Sequence, residues 1–196
     1  MPLIIKGARQ VGKTEAIKHF AEGHYKSLVE INFVLQKQYK DIFDDGFEVD
    51  TILKNISLRN PDFEFIPGET LIFFDELQDC INCATSLKSF RLDGRFDVIC
   101  SGSLMGINYN EIESNSVGNK EDVEMYSLDF EEFLWANGIA DPVIDMLKKC
   151  LQKETPVPEA LHNRMKQLLL QYVVVGGMPD AVQTFVDTKQ MDEVFF

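Results

Sequence analysis

Short apolar runs alternate with longer amphipathic stretches along most of the chain, which is typical of strands alternating with helices. The run 71–74 is apolar throughout, as expected of a central strand that a parallel sheet buries on both faces. Further strands are predicted at 3–6, 27–33, 96–100 and 123–128, with helices at 13–22, 48–59 and 84–92. The pattern therefore predicts an α/β domain with a mostly parallel sheet.

The pattern changes toward the C-terminal third, where helical spacing replaces the alternation of strands and helices. Helices are predicted at 129–137, 142–153, 157–175 and 179–188, after a polar stretch at 107–122 that we interpret as a surface loop. We predict a sheet domain over residues 1–139 and a helical subdomain over residues 140–196. Because the helical pattern still runs at residues 195–196, we expect a truncated subdomain from a longer protein.

Residues 7–14 match the phosphate-binding pattern G-x-x-x-x-G-K-[ST] between a predicted strand and a predicted helix. The glycines let successive backbone N–H groups turn toward phosphate oxygens, and the helix start adds roughly half a positive charge. In such loops the lysine reaches the β- and γ-phosphates and the hydroxyl residue binds Mg²⁺. The predicted binding residues for a nucleoside triphosphate are Gly7, Ala8, Arg9, Gln10, Val11, Gly12, Lys13 and Thr14.

Two acidic residues, Asp75 and Glu76, directly follow the apolar run 71–74. A phosphate-binding loop needs a neighbouring strand that presents an acid to the metal, and we assign Asp75 to this role together with Thr14. Glu76 is the candidate general base that orients or deprotonates the attacking water. A solvated acidic turn is the alternative explanation of this pair.

Ser101 and Ser103 follow the predicted strand 96–100. A polar side chain at that strand end can hydrogen-bond the γ-phosphate or the attacking water, and both serines qualify. The predicted catalytic residues are therefore Glu76, Lys13, Ser101 and Ser103. An ordinary turn is the alternative for the two serines.

Residues 119–122 spell N-K-x-D, the guanine-reading motif of GTPases. In GTPases this motif follows an apolar strand, whereas here it follows a polar loop, and Asp75 lacks the D-x-x-G continuation. We therefore favour ATP over GTP.

Cys80 and Cys83 form a C-x-x-C pair. A structural zinc site requires two more ligands at matching spacing, and Cys100 and Cys150 are isolated in the sequence. We interpret the pair as fortuitous spacing at the start of a helix.

Four large apolar side chains recur at helical spacing just after the predicted last strand: Phe130, Phe133, Leu134 and Trp135. We expect them on one helix face that packs in the core. A wall beside the adenine is the alternative.

The net charge is −13, with 19 Lys+Arg against 32 Asp+Glu. This charge balance argues against a broad contact with nucleic acid, because such a contact requires a basic surface. No apolar run approaches the 20 or so residues of a membrane span and no signal peptide is present, so we expect a cytoplasmic protein without membrane contact.

These segments together resemble the bacterial and archaeal AAA-type ATPases that carry a C-terminal nuclease-like domain of unknown function. The resemblance covers nearly the whole chain and is carried by residues 3–14, 71–78, 101–104, 125–136 and 176–179. It implies a P-loop NTPase fold of the AAA (ASCE) type, a three-layer sandwich with strand order 5-1-4-3-2. It also implies a helical lid after the sheet, and ATP and Mg²⁺ as ligands.

One departure from this family concerns the arginine that many relatives place near the Gly before the last strand. Here that region reads Gly118-Asn119-Lys120, so either Lys120 substitutes or an arginine finger comes from another subunit or partner. Arg9 and Arg95 are further candidates for phosphate contacts. We therefore expect slow Mg²⁺-dependent ATP hydrolysis, with a nucleotide-gated switch that hydrolyses little as the alternative.

Overall fold

The computed structural model of the chain describes residues 1–103 and 118–195. Contacts group the residues into two compact units, Met1–Met125 and Tyr126–Phe196, and each is described by itself. The domain boundary that the sequence suggests after residue 139 stays a prediction. Among the described residues, no helix combines the length and the apolar character that crossing a membrane requires.

The first unit contains one parallel sheet of five strands. The strands are β1 Leu3–Gly7, β2 Ser27–Asn32, β3 Thr70–Asp75, β4 Asp97–Ser103 and β5 Glu121–Glu124. Their spatial order is β2-β3-β4-β1-β5, and every neighbouring pair is parallel. This is the predicted order 5-1-4-3-2 counted from the opposite edge, so the predicted topology is confirmed.

Helices cover both faces of this sheet. They are α1 Lys13–His24, α2 Val49–Arg59 and α3 Ile81–Asp93, with 3₁₀ helices at Lys37–Phe43 and Leu77–Asp79. Because side chains alternate along a strand, β3 sends Leu71 and Phe73 toward α1, and Ile72 and Phe74 into the cluster under α2 and α3. All four side chains are fully buried, which explains the continuous apolar run. The result is the predicted three-layer arrangement.

Strand β5 differs from the prediction, which placed a strand at 123–128. The strand occupies Glu121–Glu124, and these residues pair in register with Leu3–Lys6 of β1. All four residues of β5 are exposed at the sheet edge, so no apolar pattern marks them. The strand also starts inside the loop that we predicted at 107–122, and residues 104–117 of that loop lie outside the described part of the chain.

The second unit consists of helices. They are α4 Phe130–Ala136, α5 Asp141–Gln152, α6 Glu159–Val175 and α7 Pro179–Thr188, followed by a 3₁₀ helix at Asp192–Phe195. Asp129 begins α4 with a capping box, because its carboxylate accepts from the backbone N–H of Glu132 and the Glu132 carboxylate accepts from that of Asp129.

Phe133 is the centre of the apolar core of this unit. Its ring is fully buried and stacks on Phe185 of α7 at 5.8 Å, and it also contacts Tyr172 of α6. Leu134 is buried and Phe130 packs against the same cluster, as expected of one helix face. Trp135 is 47% exposed, so its predicted place on that face was wrong. Two positions on from Phe133, it lies about 200° around the helix.

The pair Gly176-Gly177 lets the chain turn between α6 and α7 against the segment that leads into α4. Gly176 has φ 78° and ψ −168°, a backbone conformation open essentially to glycine alone. Gly177 accepts a hydrogen bond from Leu128 N–H at 2.7 Å, and a Cβ on Gly177 would lie 2.0 Å from the Leu128 carbonyl oxygen. The two glycines are therefore needed for different reasons.

Gly177→Ala is expected to lower the free energy of unfolding of the second unit by about 1–3 kcal/mol or more, because a rigid backbone oxygen occupies the space of the new methyl group. Gly23→Ala makes the same chemical change inside α1, where nothing lies within 4 Å, and is expected to be neutral or stabilising. Chemical denaturation of both variants measures this difference. Equal stabilities would show that the close approach to Leu128 is not tight.

Candidate functional site

The loop 7–14 connects β1 to α1 at the carboxyl edge of the sheet. Val11 is 2% exposed and anchors the loop, whereas Ala8, Arg9 and Gln10 face solvent. Gly12 has φ 91° at the N-terminus of α1, a left-handed conformation that favours glycine. A Cβ on Gly7 would lie 2.3 Å from the Met125 carbonyl oxygen, so the end of β1 also requires glycine. Both motif glycines are thus explained by local geometry.

Lys13 folds its side chain back over the loop. Its ammonium nitrogen Nζ donates to the carbonyl oxygens of Gly7 at 3.1 Å and Ala8 at 2.6 Å. Burial lowers the pKa of Lys13, and the negative charges of Glu76 and Asp75 act in the opposite direction. The Lys13 ammonium, which is close enough to the two acids to interact with their charges, is therefore held against the loop's own backbone.

Asp75 ends β3, is only 5% exposed, and has its carboxylate surrounded by hydrogen-bond donors. Its Oδ2 accepts from Asn32 Nδ2 at 2.8 Å and Thr14 Oγ1 at 3.4 Å. Its Oδ1 accepts from the backbone N–H of Glu76 at 3.1 Å and from the hydroxyl of Ser101. Four donors from four segments of the first unit thus fix one carboxylate.

The chemistry of the groups around Asp75 shows whether the site suits Mg²⁺. The Thr14 hydroxyl and the Asp75 carboxylate converge at 3.4 Å, and oxygen atoms of this kind are the ligands that Mg²⁺ prefers. Asp75 has no ion-pair partner within the described ranges, so its buried negative charge is held by neutral donors only. A divalent cation would compensate that charge, so the residues present fit the ion.

Glu76 follows Asp75 with φ 58°, a left-handed conformation that costs a non-glycine residue about 1–2 kcal/mol. This turn ends β3 and starts the 3₁₀ helix at Leu77–Asp79. The carboxylate accepts a hydrogen bond from Gln78 Nε2 through one oxygen, Oε2. No bond to its other oxygen occurs among the described residues, so that oxygen is available to a water molecule.

Two polar residues at this edge escaped the sequence analysis. Asn32 ends β2 directly opposite Asp75 in the β2–β3 register, and its Oδ1 accepts from the N–H groups of Val34 and Leu35. Gln78 bridges Glu76 and Ser103, since its Oε1 accepts from the Ser103 N–H at 3.2 Å. The position of Asn32 at the end of a predicted strand was the available signal for the first, and no short motif marks the second.

The two predicted serines take different places. Ser101 is 1% exposed and its hydroxyl donates to Asp75, so it belongs to the carboxylate network. Ser103 lies at the last position of β4 and contributes its backbone N–H to Gln78. The structure therefore brings Thr14, Asp75, Glu76 and Ser101 together, with Lys13 beside them.

The N-K-x-D stretch is engaged in internal contacts. Asp122 binds Lys6 and Lys120, each at 2.7 Å, and Lys120 has a side chain that is only 6% exposed. Asn119 accepts from Arg91, which also donates to the Gly118 carbonyl. The ammonium of Lys120 is thus held by the carboxylate of Asp122, two residues further along the chain in β5.

The two other candidate arginines differ from each other. Arg95 pairs with Asp93 and Asp50 at 2.7 and 2.6 Å, so it has a structural role on the surface. Arg9 is exposed at the top of the loop, and within the described residues it makes no ion pair.

Cys80 and Cys83 are both buried in the large core cluster of the first unit. Burial raises the pKa of the Cys80 thiol to about 11. Burial also raises the pKa of Cys83, which shares a hydrogen bond with Cys100 and contacts Ser86. No group of three or more metal-binding side chains occurs in the described ranges. The thiols are therefore part of the packed core.

The chain is similar to one protein family and to solved structures of other proteins. Residues 1–134 match the model of a family described as an AAA domain. The structure of Drosophila ORC bound to DNA has a TM-score of 0.52 and 16% identity, with 95% of this chain and 54% of that chain covered. The structure of C. elegans PCH-2 has a TM-score of 0.50 and 11% identity, with 98% and 59% covered. No curated protein matches.

At these identities the two structures show a shared fold and nothing finer. The chain spans little more than half the length of either chain. The family model, in contrast, matches more than half of this chain and includes the loop, both acids and both serines. The chain therefore belongs to the AAA domain family.

Proposed function

We propose that the first unit binds ATP with Mg²⁺ and hydrolyses it: water attacks the γ-phosphorus, the bond to the β–γ bridging oxygen breaks, and ADP and phosphate leave. The observation that carries this proposal is the convergence of Thr14 and Asp75 at 3.4 Å beside Glu76, which keeps one carboxylate oxygen available. Loop, metal-binding oxygens and candidate base all lie at the carboxyl edge of β1 and β3, where parallel α/β sheets bind ligands. This arrangement supports hydrolysis rather than binding alone.

The residues have distinct roles in this proposal. The backbone N–H groups of residues 7–14 and the Lys13 ammonium bind the phosphates. Thr14 and Asp75 would hold Mg²⁺, which neutralises charge on the phosphate oxygens when bound. Glu76 accepts the proton of the attacking water through its free oxygen. Ser101 keeps the Asp75 carboxylate in place through its hydroxyl.

ATP is favoured over GTP because the side chains of the N-K-x-D stretch are occupied. Guanine recognition requires a free aspartate, and Asp122 is bound by two lysines. Asn119 is likewise engaged with Arg91. We therefore expect no discrimination in favour of guanine.

A melting scan tests nucleotide choice. At a hundredfold excess over its Kd, ATP-Mg²⁺ is expected to stabilise the protein by about 2.7 kcal/mol, because a ligand that binds the folded state alone shifts the unfolding equilibrium. GTP-Mg²⁺ at the same concentration is expected to give a smaller shift. A larger shift with GTP would indicate guanine specificity. No shift with either nucleotide would contradict nucleotide binding.

A nucleotide-gated switch with little hydrolysis is the second candidate function. The observation in its favour is that Lys120, which stands at the place where relatives carry an arginine, is held by Asp122. Such a finger is worth about 10³–10⁵ in rate. A second copy or a partner protein would then have to supply it.

Multiple-turnover assays of the chain, alone and with candidate partners, separate the two functions. Slow turnover that rises with protein concentration or with a partner supports the hydrolase. Turnover at background under every condition, with ATP binding intact, would favour the switch.

A further inference from the structure

We propose that Gln78 is a positioning residue that holds Glu76 in the orientation of a general base and couples it to the end of β4. The inference rests on the proposed hydrolysis of ATP. Its basis is a bridge within the first unit: Gln78 donates to the Glu76 carboxylate and accepts from the Ser103 N–H. No other side chain in the described ranges binds the Glu76 carboxylate.

The bridge has a defined direction. A backbone N–H can only donate, so the Gln78 atom that faces Ser103 at 3.2 Å must be the amide oxygen. The amide nitrogen, with its two N–H donors, therefore faces Glu76, where it matches a carboxylate that only accepts. The Gln78 amide thus presents a donor to Glu76, which a carboxylate acting as a general base can accept.

The bond leaves Glu76 able to react. It uses Oε2 alone, and the other carboxylate oxygen stays available for a water proton. Glu76 has a left-handed backbone at φ 58° and forms the turn between β3 and the 3₁₀ helix at Leu77–Asp79. A flexible carboxylate on such a turn needs a second point of attachment to keep one orientation, and Gln78 supplies it.

Gln78 also makes the second of two links between the ends of β3 and β4. The first link is the bond from the Ser101 hydroxyl to Asp75. Gly102 lies between the two serines, and a Cβ there would be 3.4 Å from the Gln78 amide oxygen, so the amide packs closely on β4. A displacement of the β4 end would therefore move both carboxylates. Asp75 would move through its bond to Ser101, and Glu76 through its bond to Gln78.

The test compares Gln78→Met with the wild-type chain under single-turnover conditions, with enzyme in excess over labelled ATP. Methionine keeps the length and packing of the side chain but cannot bridge the two partners. We expect the rate of hydrolysis to fall about 10- to 100-fold, the effect of one hydrogen bond to a charged group. The Kd for ATP-Mg²⁺ is expected to stay within about twofold, because Gln78 acts on the base and not on the phosphates.

A double-mutant cycle with Glu76→Gln supplies a readout that a merely structural role would not move. If Gln78 acts through Glu76, adding Gln78→Met to Glu76→Gln should change the rate by less than about twofold. Gln38→Ala, an exposed glutamine in the 3₁₀ helix at Lys37–Phe43, is the control and should behave as wild type. Melting temperatures confirm that each variant is folded.

Three kinds of result would overturn the inference. Wild-type hydrolysis by Gln78→Met overturns it while leaving ATP hydrolysis intact. An equal further loss in the Glu76→Gln background, or loss of ATP affinity or folding in Gln78→Met, would assign Gln78 to packing instead. Background hydrolysis by the wild-type chain overturns the proposed function and this inference together, and it is recognised by the wild-type measurement alone.

Discussion

Replacing Glu76 by Gln is expected to lower ATP turnover by about 10²–10⁴-fold while ATP affinity changes by no more than about threefold. The amide keeps the size of the side chain and can still accept from Gln78, but it cannot take a proton from water. Lys13, Thr14 and the loop, which we propose to bind the phosphates and Mg²⁺, are unchanged. Steady-state turnover and equilibrium ATP binding, measured on the same preparation, separate these two effects.

Glu15→Gln is the matched control for this experiment. Glu15 lies exposed in the first turn of α1, close to the same loop, so the variant makes the same change in net charge without touching the site. Its turnover is expected to stay near that of the wild type. If Glu76→Gln hydrolyses ATP at the wild-type rate, Glu76 is not the base and the proposed mechanism fails.

The parts of the site that the sequence predicts share one property: they are set by local chemistry. The loop 7–14 would bind phosphate through its own backbone, so its two glycines and its lysine can be recognised from their spacing. Asp75 and Glu76 are visible because a strand buried on both faces must be apolar until it reaches the edge of the sheet. The order of the five strands, in contrast, came from the family resemblance and not from any periodicity.

Asn32 and Gln78 were missed because their contacts exist only in the folded sheet. Asn32 faces Asp75 only because Ser27–Asn32 pairs with Thr70–Asp75 in one particular alignment, and a shift by one residue would turn it to the opposite face. Gln78 reaches Ser103 across 25 positions of sequence. Neither contact is encoded in a short motif, so only the folded sheet brings these residues to the acids.

The two errors in the predicted elements also have physical causes. Strand β5 is an exposed edge that β1 stabilises through pairing, and the charge of Asp122 is compensated by Lys6 on the neighbouring strand. A search for apolar runs therefore places this strand at 123–128 instead of at Glu121–Glu124. Trp135 was placed on the buried face because its size suggested a core residue, although the helical period turns it to solvent.

Lys13→Met is expected to weaken ATP binding by about 100-fold, or roughly 2–3 kcal/mol, because it removes a charge-assisted contact to phosphate. Turnover should fall to background, since the loop then lacks the ammonium that we propose to bind the β- and γ-phosphates. Lys18→Met, one turn later in α1, is the matched control: Lys18 pairs with Glu30 at 3.0 Å near the surface, and its loss should leave ATP affinity within about twofold. Calorimetric titration with ATP-Mg²⁺ measures both affinities.

An ATP affinity of Lys13→Met equal to that of the control would contradict this prediction. It would mean that the bonds of wild-type Lys13 to the Gly7 and Ala8 carbonyls persist with nucleotide bound. Lys13 would then stabilise the loop rather than contact phosphate.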